Sequence, residues 1–83
     1  MAYDVKIAAS AIKDLKQIDK HKAGKILLGA MEKLSKNPEP CKMLSGKFKG
    51  LRRLRVGNFR VIFAIFDAEV KILRIGHRKD VYE

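Results

Sequence analysis

The sequence predicts an α+β domain of two layers, with an N-terminal strand, a helical hairpin, and then a mostly antiparallel sheet ending in a three-strand meander. Three observations carry this expectation. Tyr3, Val5 and Ile7 alternate with Asp4 and Lys6, the period-two pattern of a strand with one buried face. Residues 8 to 36 contain two stretches with apolar residues at helical spacing. The second half holds three strand-like runs, the first two separated by Gly57-Asn58, a dipeptide suited to a two-residue hairpin. A chain of 83 residues closes one core, so residues 1–83 are expected to form a single domain.

Taken in order, the first strand is followed by Ala8, Ala11, Ile12, Leu15 and Ile18, which define the apolar side of a first helix. Ser10 is its candidate cap, and Lys13, Asp14, Lys16, Gln17 and Asp19 are assigned to the wet side. A polar turn, His21 to Lys25, precedes a second helix whose apolar positions are Ala23, Ile26, Leu27, Ala30, Met31 and Leu34. Lys33 and Lys36 suit the negative end of its dipole, and Asn37-Pro38 with Pro40 ends it because proline has no N–H to donate. Cys41 to Gly50 reads as an irregular basic surface loop. Leu51 to Val56 and Phe59 to Phe66 form the hairpin, and the second run, apolar on both faces after Arg60, belongs at the centre of the sheet. Val70 to Ile75 is the last strand, and Gly76 begins a polar tail that ends at Glu83.

Nineteen Lys and Arg against nine Asp and Glu give a formal charge of +10. Such a balance favours a polyanionic partner, because each phosphate neutralised releases counterions and raises affinity; the competing reading of the charge is solubility alone. Cys41 is the only cysteine, which excludes an intrachain disulfide and points to a cytoplasmic location. The apolar run Val61 to Phe66 is too short to cross a bilayer, so no membrane partner is expected. Cys41, His21 and His77 lack ligand spacing, and there is no glycine-rich phosphate loop or nucleophile elbow. No metal and no cofactor are expected.

The candidate chemistry lies in the second half. Arg53 and Arg55 share a strand face, and Arg60 follows just across the Gly57-Asn58 turn. With Arg52, with Lys47 and Lys49 from the basic loop, and with His77, Arg78 and Tyr82 from the tail, they can compose a cationic surface carrying an imidazole and a phenol. Guanidinium forks match phosphate oxygens, and a tyrosine ring can stack on a base. Each of these has a plainer reading. Arg52 to Arg55 suit the solvated face of an edge strand, His77 suits a strand end, Tyr82 can pack on the sheet edge, and Phe48, Phe59, Phe63 and Phe66 suit packing better than base stacking.

The run Leu51-Arg52-Arg53-Leu54-Arg55-Val56-Gly57-Asn58-Phe59-Arg60-Val61-Ile62-Phe63, followed by Ile75-Gly76-His77-Arg78-Lys79-Asp80-Val81-Tyr82, resembles the hairpin and tail of the RelE toxins. Asn37-Pro38 at the end of the second helix and Leu44-Ser45-Gly46 are similar too, so the likeness spans nearly the whole chain. It implies a RelE-like fold and the toxin of a type II toxin-antitoxin system. Such a toxin is a metal-independent endoribonuclease that cuts mRNA in the ribosomal A site by attack of a ribose 2′-hydroxyl, and so inhibits translation. It implies as partners a cognate, RelB-like antitoxin and the ribosome with its mRNA and rRNA, with DNA engaged only indirectly through the antitoxin. By motif match, Arg60 and Arg78 clamp the phosphate and Tyr82 stacks on or orients the base.

The sequence departs from the best-known bacterial RelE toxins, which carry two lysines two positions apart before the hairpin turn. Leu51 and Arg53 stand here instead. Arginine supplies charge but transfers protons poorly because its pKa is so high. The base is therefore open among Lys47, Lys49 and His77, and His77 is preferred for its pKa near neutrality, with Arg53 and Arg55 as electrostatic partners. The spatial expectation is that the arginines beside the turn converge with His77, Arg78 and Tyr82 in one pocket. Two other readings stay open: the related ParE toxins, which share the fold and inhibit DNA gyrase, and a catalytically inactive RNA-binding relative.

Overall fold

In a computed structural model of the protein, the described residues are 2–77; the side chain of Lys47 also lies outside them. The elements are β1 (Asp4–Ile7), α1 (Ala9–Lys16), α2 (Lys20–Lys36), β2 (Lys42–Met43), a 3-10 turn at Gly46–Phe48, β3 (Arg52–Val56), β4 (Phe59–Phe66) and β5 (Glu69–His77). The strands form one sheet in the order β1-β5-β4-β3-β2. Among the described strands only the β1–β5 pairing is parallel; the others are antiparallel. This is the expected α+β architecture, with β4 at the centre as its doubly apolar sequence required.

The core lies between the helices and one face of the sheet. Ala11 from α1 and Ile26, Ala30 and Leu34 from α2 meet Val61, Phe63, Val70, Ile72 and Ile75. Gly57, with φ at +61°, takes the first central position of the β3–β4 turn, as a type II′ hairpin requires. Among the described residues, no helix is long and apolar enough to cross a membrane.

Several local expectations are corrected. The stretch His21 to Lys25 is helical, because α2 begins at Lys20 and is capped by Asp19, whose carboxylate accepts from the Lys22 N–H at 3.2 Å. The basic loop contains the short strand β2 and a 3-10 turn. The last strand runs on through Gly76 and His77 because β4 keeps pairing with both residues. Ser10 does not cap α1; its hydroxyl donates to the Leu73 carbonyl at 2.6 Å. Asp14 is not a wet-side residue. Its carboxylate accepts from Arg74 Nε at 2.8 Å, Arg74 Nη2 at 3.1 Å and the Ile75 N–H at 2.9 Å.

These last contacts explain where α1 sits. The four residues of β1 cover β5 only from Glu69 to Ile72, which leaves the next part of β5 as a bare edge. Unpaired strand edges invite further pairing. Ser10 and Asp14 occupy that edge and satisfy backbone groups that a longer β1 would have taken.

Candidate nucleic-acid interface

Directly paired residues on neighbouring strands share a sheet face, so the register assigns every side chain. One face backs onto the helices. The other carries two rows of interest. The first is Lys42, Arg53, Ile62 and Arg74; the second is Arg55, Arg60 and Gly76. Five of these seven positions are Lys or Arg, and none is acidic.

Ile62 is only 1% exposed although it lies on the face turned away from α1 and α2. Arg53 flanks it in its row, where a long cationic side chain can lay its apolar stem over a neighbour, whereas Arg74 on the other side turns its guanidinium to Asp14 of α1. Arg60 is 5% exposed, and is the one buried charged residue among those described. Arg60 thus sets its guanidinium beneath this face. Fields from charges set in a low-dielectric surround are less screened than those from solvated ones. Arg55 beside it is exposed and Arg53 half-buried, so both remain available to a ligand.

The structure divides the residues that the sequence grouped together. Arg53, Arg55 and Arg60 do share a face. His77 does not join them: it pairs with Phe59, whose ring it meets edge-on with centroids 5.6 Å apart, whereas Arg60 pairs with Gly76. The expected convergence of Arg60 with the imidazole is thus corrected. The cause is a β-bulge. Ile62 pairs with Arg74 and the next residue, Phe63, pairs with Ile72, leaving Leu73 as the extra residue. Such an insertion shifts the alternation of everything beyond it. Unbroken alternation from Val70 would have put His77 on the arginine face; the bulge turns it to the helix side.

His77 instead lines a cleft of about 460 Å³ with Asp14, Asp19, Lys22, Phe59 and Arg74. Burial on its own raises the pKa of Asp14, but the Arg74 hydrogen bond, the Ile75 N–H and the charges of Arg74 and Lys13 outweigh it, so the carboxyl sits below its ordinary value.

Arg52 is also misplaced by the sequence reading. It pairs with Phe63 and therefore points to the helix side, where Nη1 donates to the carbonyls of Glu39 and Cys41 at 2.7 and 3.2 Å. It is committed to holding the segment after α2. Glu39 also accepts from the Tyr3 hydroxyl at 2.7 Å, which raises the tyrosine pKa. Lys49 is exposed, just after the 3-10 turn. Phe48 and Ser45, from the same loop, line a small hollow with Lys42 and Arg53, so the loop does lie over the arginine face. Arg78 and Tyr82 fall outside the described residues. The residue that sequence reasoning missed is Lys42, which joins the arginine face only through the two-residue strand β2, too short to leave a periodic signal.

A family model for the ParE toxin of the type II toxin-antitoxin system parDE matches residues 5–82. The chain belongs to this family. It is a type II toxin of the RelE/ParE superfamily, and its nearness to both branches recurs among solved structures. It is similar to a chain of the toxin-antitoxin complex RelBE2 from Mycobacterium tuberculosis, at 28% identity over 94% of this chain and 93% of that one, with a TM-score of 0.88. It is similar to a chain of the archaeal RelE-RelB complex from Pyrococcus horikoshii, at 28% identity over 98% and 100%, with a TM-score of 0.71. The chromosomal ParDE system of P. aeruginosa shares the fold, at 20% identity over 92% and 96%, with a TM-score of 0.75. No curated protein is significantly similar in sequence.

Proposed function

We propose that this toxin is a metal-independent endoribonuclease that binds RNA on the face of its sheet turned away from α1 and α2 and cuts translated mRNA in the ribosomal A site. The observation that carries the reading is the arginine cluster itself: Arg55 and Arg60 opposite each other, Arg53 and Lys42 in the adjoining row, and no carboxylate among them. Likeness to RelE structures at 27 and 28% identity supports it. Attack of a ribose 2′-hydroxyl on the neighbouring phosphate builds negative charge on the phosphoryl oxygens, and preorganised cations facing that charge lower the barrier. Arg53 and Arg55 would hold the phosphate, with the buried charge of Arg60 behind them. Lys49, from the loop over this face, would take the 2′-hydroxyl proton as that oxygen bonds to phosphorus. The bond from phosphorus to the 5′-oxygen then breaks, and Arg78 and Tyr82 would complete the site by motif, Tyr82 stacking on the base and supplying a proton to the leaving 5′-oxygen. A cognate antitoxin, RelB-like and cytoplasmic like the toxin, would restrain it, as the complexes of the similar proteins suggest.

A second reading is inhibition of DNA gyrase. The family description favours it, as does the absence, among the described residues of the arginine rows, of any histidine or carboxylate. One paired experiment decides between them. Purified toxin is added to a translating extract, with cleavage mapped by primer extension, and to a gyrase supercoiling reaction. Cuts at A-site codons that disappear in Arg60→Ala uphold the nuclease; intact message with blocked supercoiling overturns it.

A further inference from the structure

The six arginines of the chain all lie between Arg52 and Arg78, and the cations of both helices are lysines without exception. This division suggests two kinds of anion binding. Arginine provides a fixed fork for one phosphate, while lysine is a hydrated point charge on a flexible stem, suited to diffuse attraction. On α2 the lysines are not spread evenly. At 100° per residue, Lys22, Lys25, Gly29, Glu32, Lys33 and Lys36 fall within an arc of about 100°, beside the apolar arc of Ile26, Ala30 and Leu34. Each lysine of this stripe is exposed, and Glu32 is its only acid. It runs about 21 Å along the axis, as two lysine pairs with a gap of about 12 Å between Lys25 and Lys33. Between the pairs stands Gly29, so close to Val56 that a Cβ there would lie 3.3 Å from Val56 Cγ1. Hollows of about 330 and 410 Å³ open on either side of this saddle, one lined by Lys22 and Lys25, the other by Lys33 and Lys36.

The stripe adjoins the arginine face. Because β2 pairs only with Arg52 and Arg53, no strand among the described residues covers β3 from Leu54 to Val56, and Val56 is where α2 touches it. The cationic surface therefore passes from Arg55 around this edge to α2. We infer that the α2 stripe is a second, sequence-independent RNA site that grips the phosphate backbone of an A-form duplex. A duplex fits better than a single strand because the stripe has no exposed aromatic ring. Single strands are held largely by base stacking, whereas a duplex offers its backbone and keeps its bases inside. The inference rests on RNA being the toxin's target, not on its being cut.

The test uses an RNA hairpin with a stem of roughly 16 base pairs, 2′-O-methylated to remove the attacking hydroxyl. Affinity is measured against salt for wild type, for a variant with Lys22, Lys25, Lys33 and Lys36 changed to Gln, and for a control with Lys6, Lys13, Lys16 and Lys20 changed to Gln. Both variants lose the same charge, and circular dichroism checks their folding. The stripe variant should flatten the slope of log K against log salt by roughly 3.6, near 0.9 per lysine, and the control by less than about 1. Equal slopes for the two variants would overturn the proposal, since they mean a diffuse net-charge effect. So would a stripe variant that keeps the wild-type slope but no longer binds an acidic peptide, since the stripe would then be a protein interface. Cleavage of translated message, measured in parallel, tests the nuclease reading separately: a toxin that cuts, but whose stripe variant keeps the wild-type slope, loses only this proposal.

Discussion

The two faces of the sheet are made by the same strands and differ by one residue of register, with the alternation broken only at the Leu73 bulge among the described residues. On β4, Val61 and Phe63 point into the helices while Arg60 and Ile62 point away. All four are buried, yet one face is a hydrophobic core and the other encloses a guanidinium. Burial alone therefore does not separate structure from function here; what separates the two faces is that one packs on α1 and α2 and the other carries the paired Arg55 and Arg60. If this contrast is right, substitutions on the two faces should fail in different assays.

The largest effect is expected on the helix side. Phe63 is fully buried among Ile26, Leu34 and Ile72, and Phe63→Ala leaves a cavity that neighbours fill only in part. Destabilisation of about 3–5 kcal/mol is expected, read as a shift of the urea midpoint at unchanged slope. A loss below about 1 kcal/mol would mean that the core has been placed wrongly.

Arg60→Met should behave in the opposite way. A buried ion can often be replaced by an apolar group of similar volume without loss of stability, so the urea midpoint should hold or rise. Cleavage should fall by about 100-fold to 1000-fold, the usual effect of removing one preorganised charge donor. His77→Ala, on the other face, should leave cleavage within about threefold of wild type, a change of less than about 0.7 kcal/mol in the barrier. Equal losses for Arg60→Met and His77→Ala would place the imidazole back in the site and break the two-face picture.

Asp14 tests the seam where the helices meet the strand edge. Asp14→Ala removes the acceptor for Arg74 and for the Ile75 N–H, with an expected cost of about 1–3 kcal/mol for the donors left behind. The pH dependence has a definite sign. Because the folded-state pKa of Asp14 is lowered, its contribution is complete above the unfolded value of about 3.9 and fades as pH falls through the folded one. Asp14→Asn should therefore narrow its stability gap from wild type as acid is added below about pH 4. A gap that stays constant down to acid unfolding would show that the carboxylate charge is not what matters.

Much of the fold was legible because its signals are local. Alternation around β1, the 3.6-residue period of α2 and the Gly57-Asn58 turn are each contained in a few residues, and β4 announced its central place by being apolar on both sides. The hidden features all depend on distant pairings. The bulge at Leu73 has no composition of its own, yet it decides the face of His77. The contacts of Asp14 with β5 exist only because β1 stops after four residues, so a helix residue that reads as solvated becomes an edge cap. The cluster of Arg53, Arg55 and Arg60 could be read from the turn between them, whereas Lys42 and the diversion of Arg52 could not.

Arg52 gives the smallest expected effect and the finest test of the comparison. In sequence it belongs to the same basic run as Arg53 and Arg55, and charge alone would assign all three to RNA. Register puts it on the helix side, with Nη1 shared between two carbonyls just after α2. Arg52→Ala should therefore cost about 1 kcal/mol, the net worth of an ordinary hydrogen bond, and should loosen the segment near Glu39 and Cys41 in hydrogen exchange. The salt slope for binding a single-stranded RNA should barely move, whereas Arg53→Ala should flatten it by about 0.7, the contribution of one phosphate contact on a single strand. If Arg52→Ala flattens the slope as much as Arg53→Ala does, the guanidinium leaves its carbonyls to meet RNA, and the division of labour between the faces fails at the strand where it is drawn most narrowly.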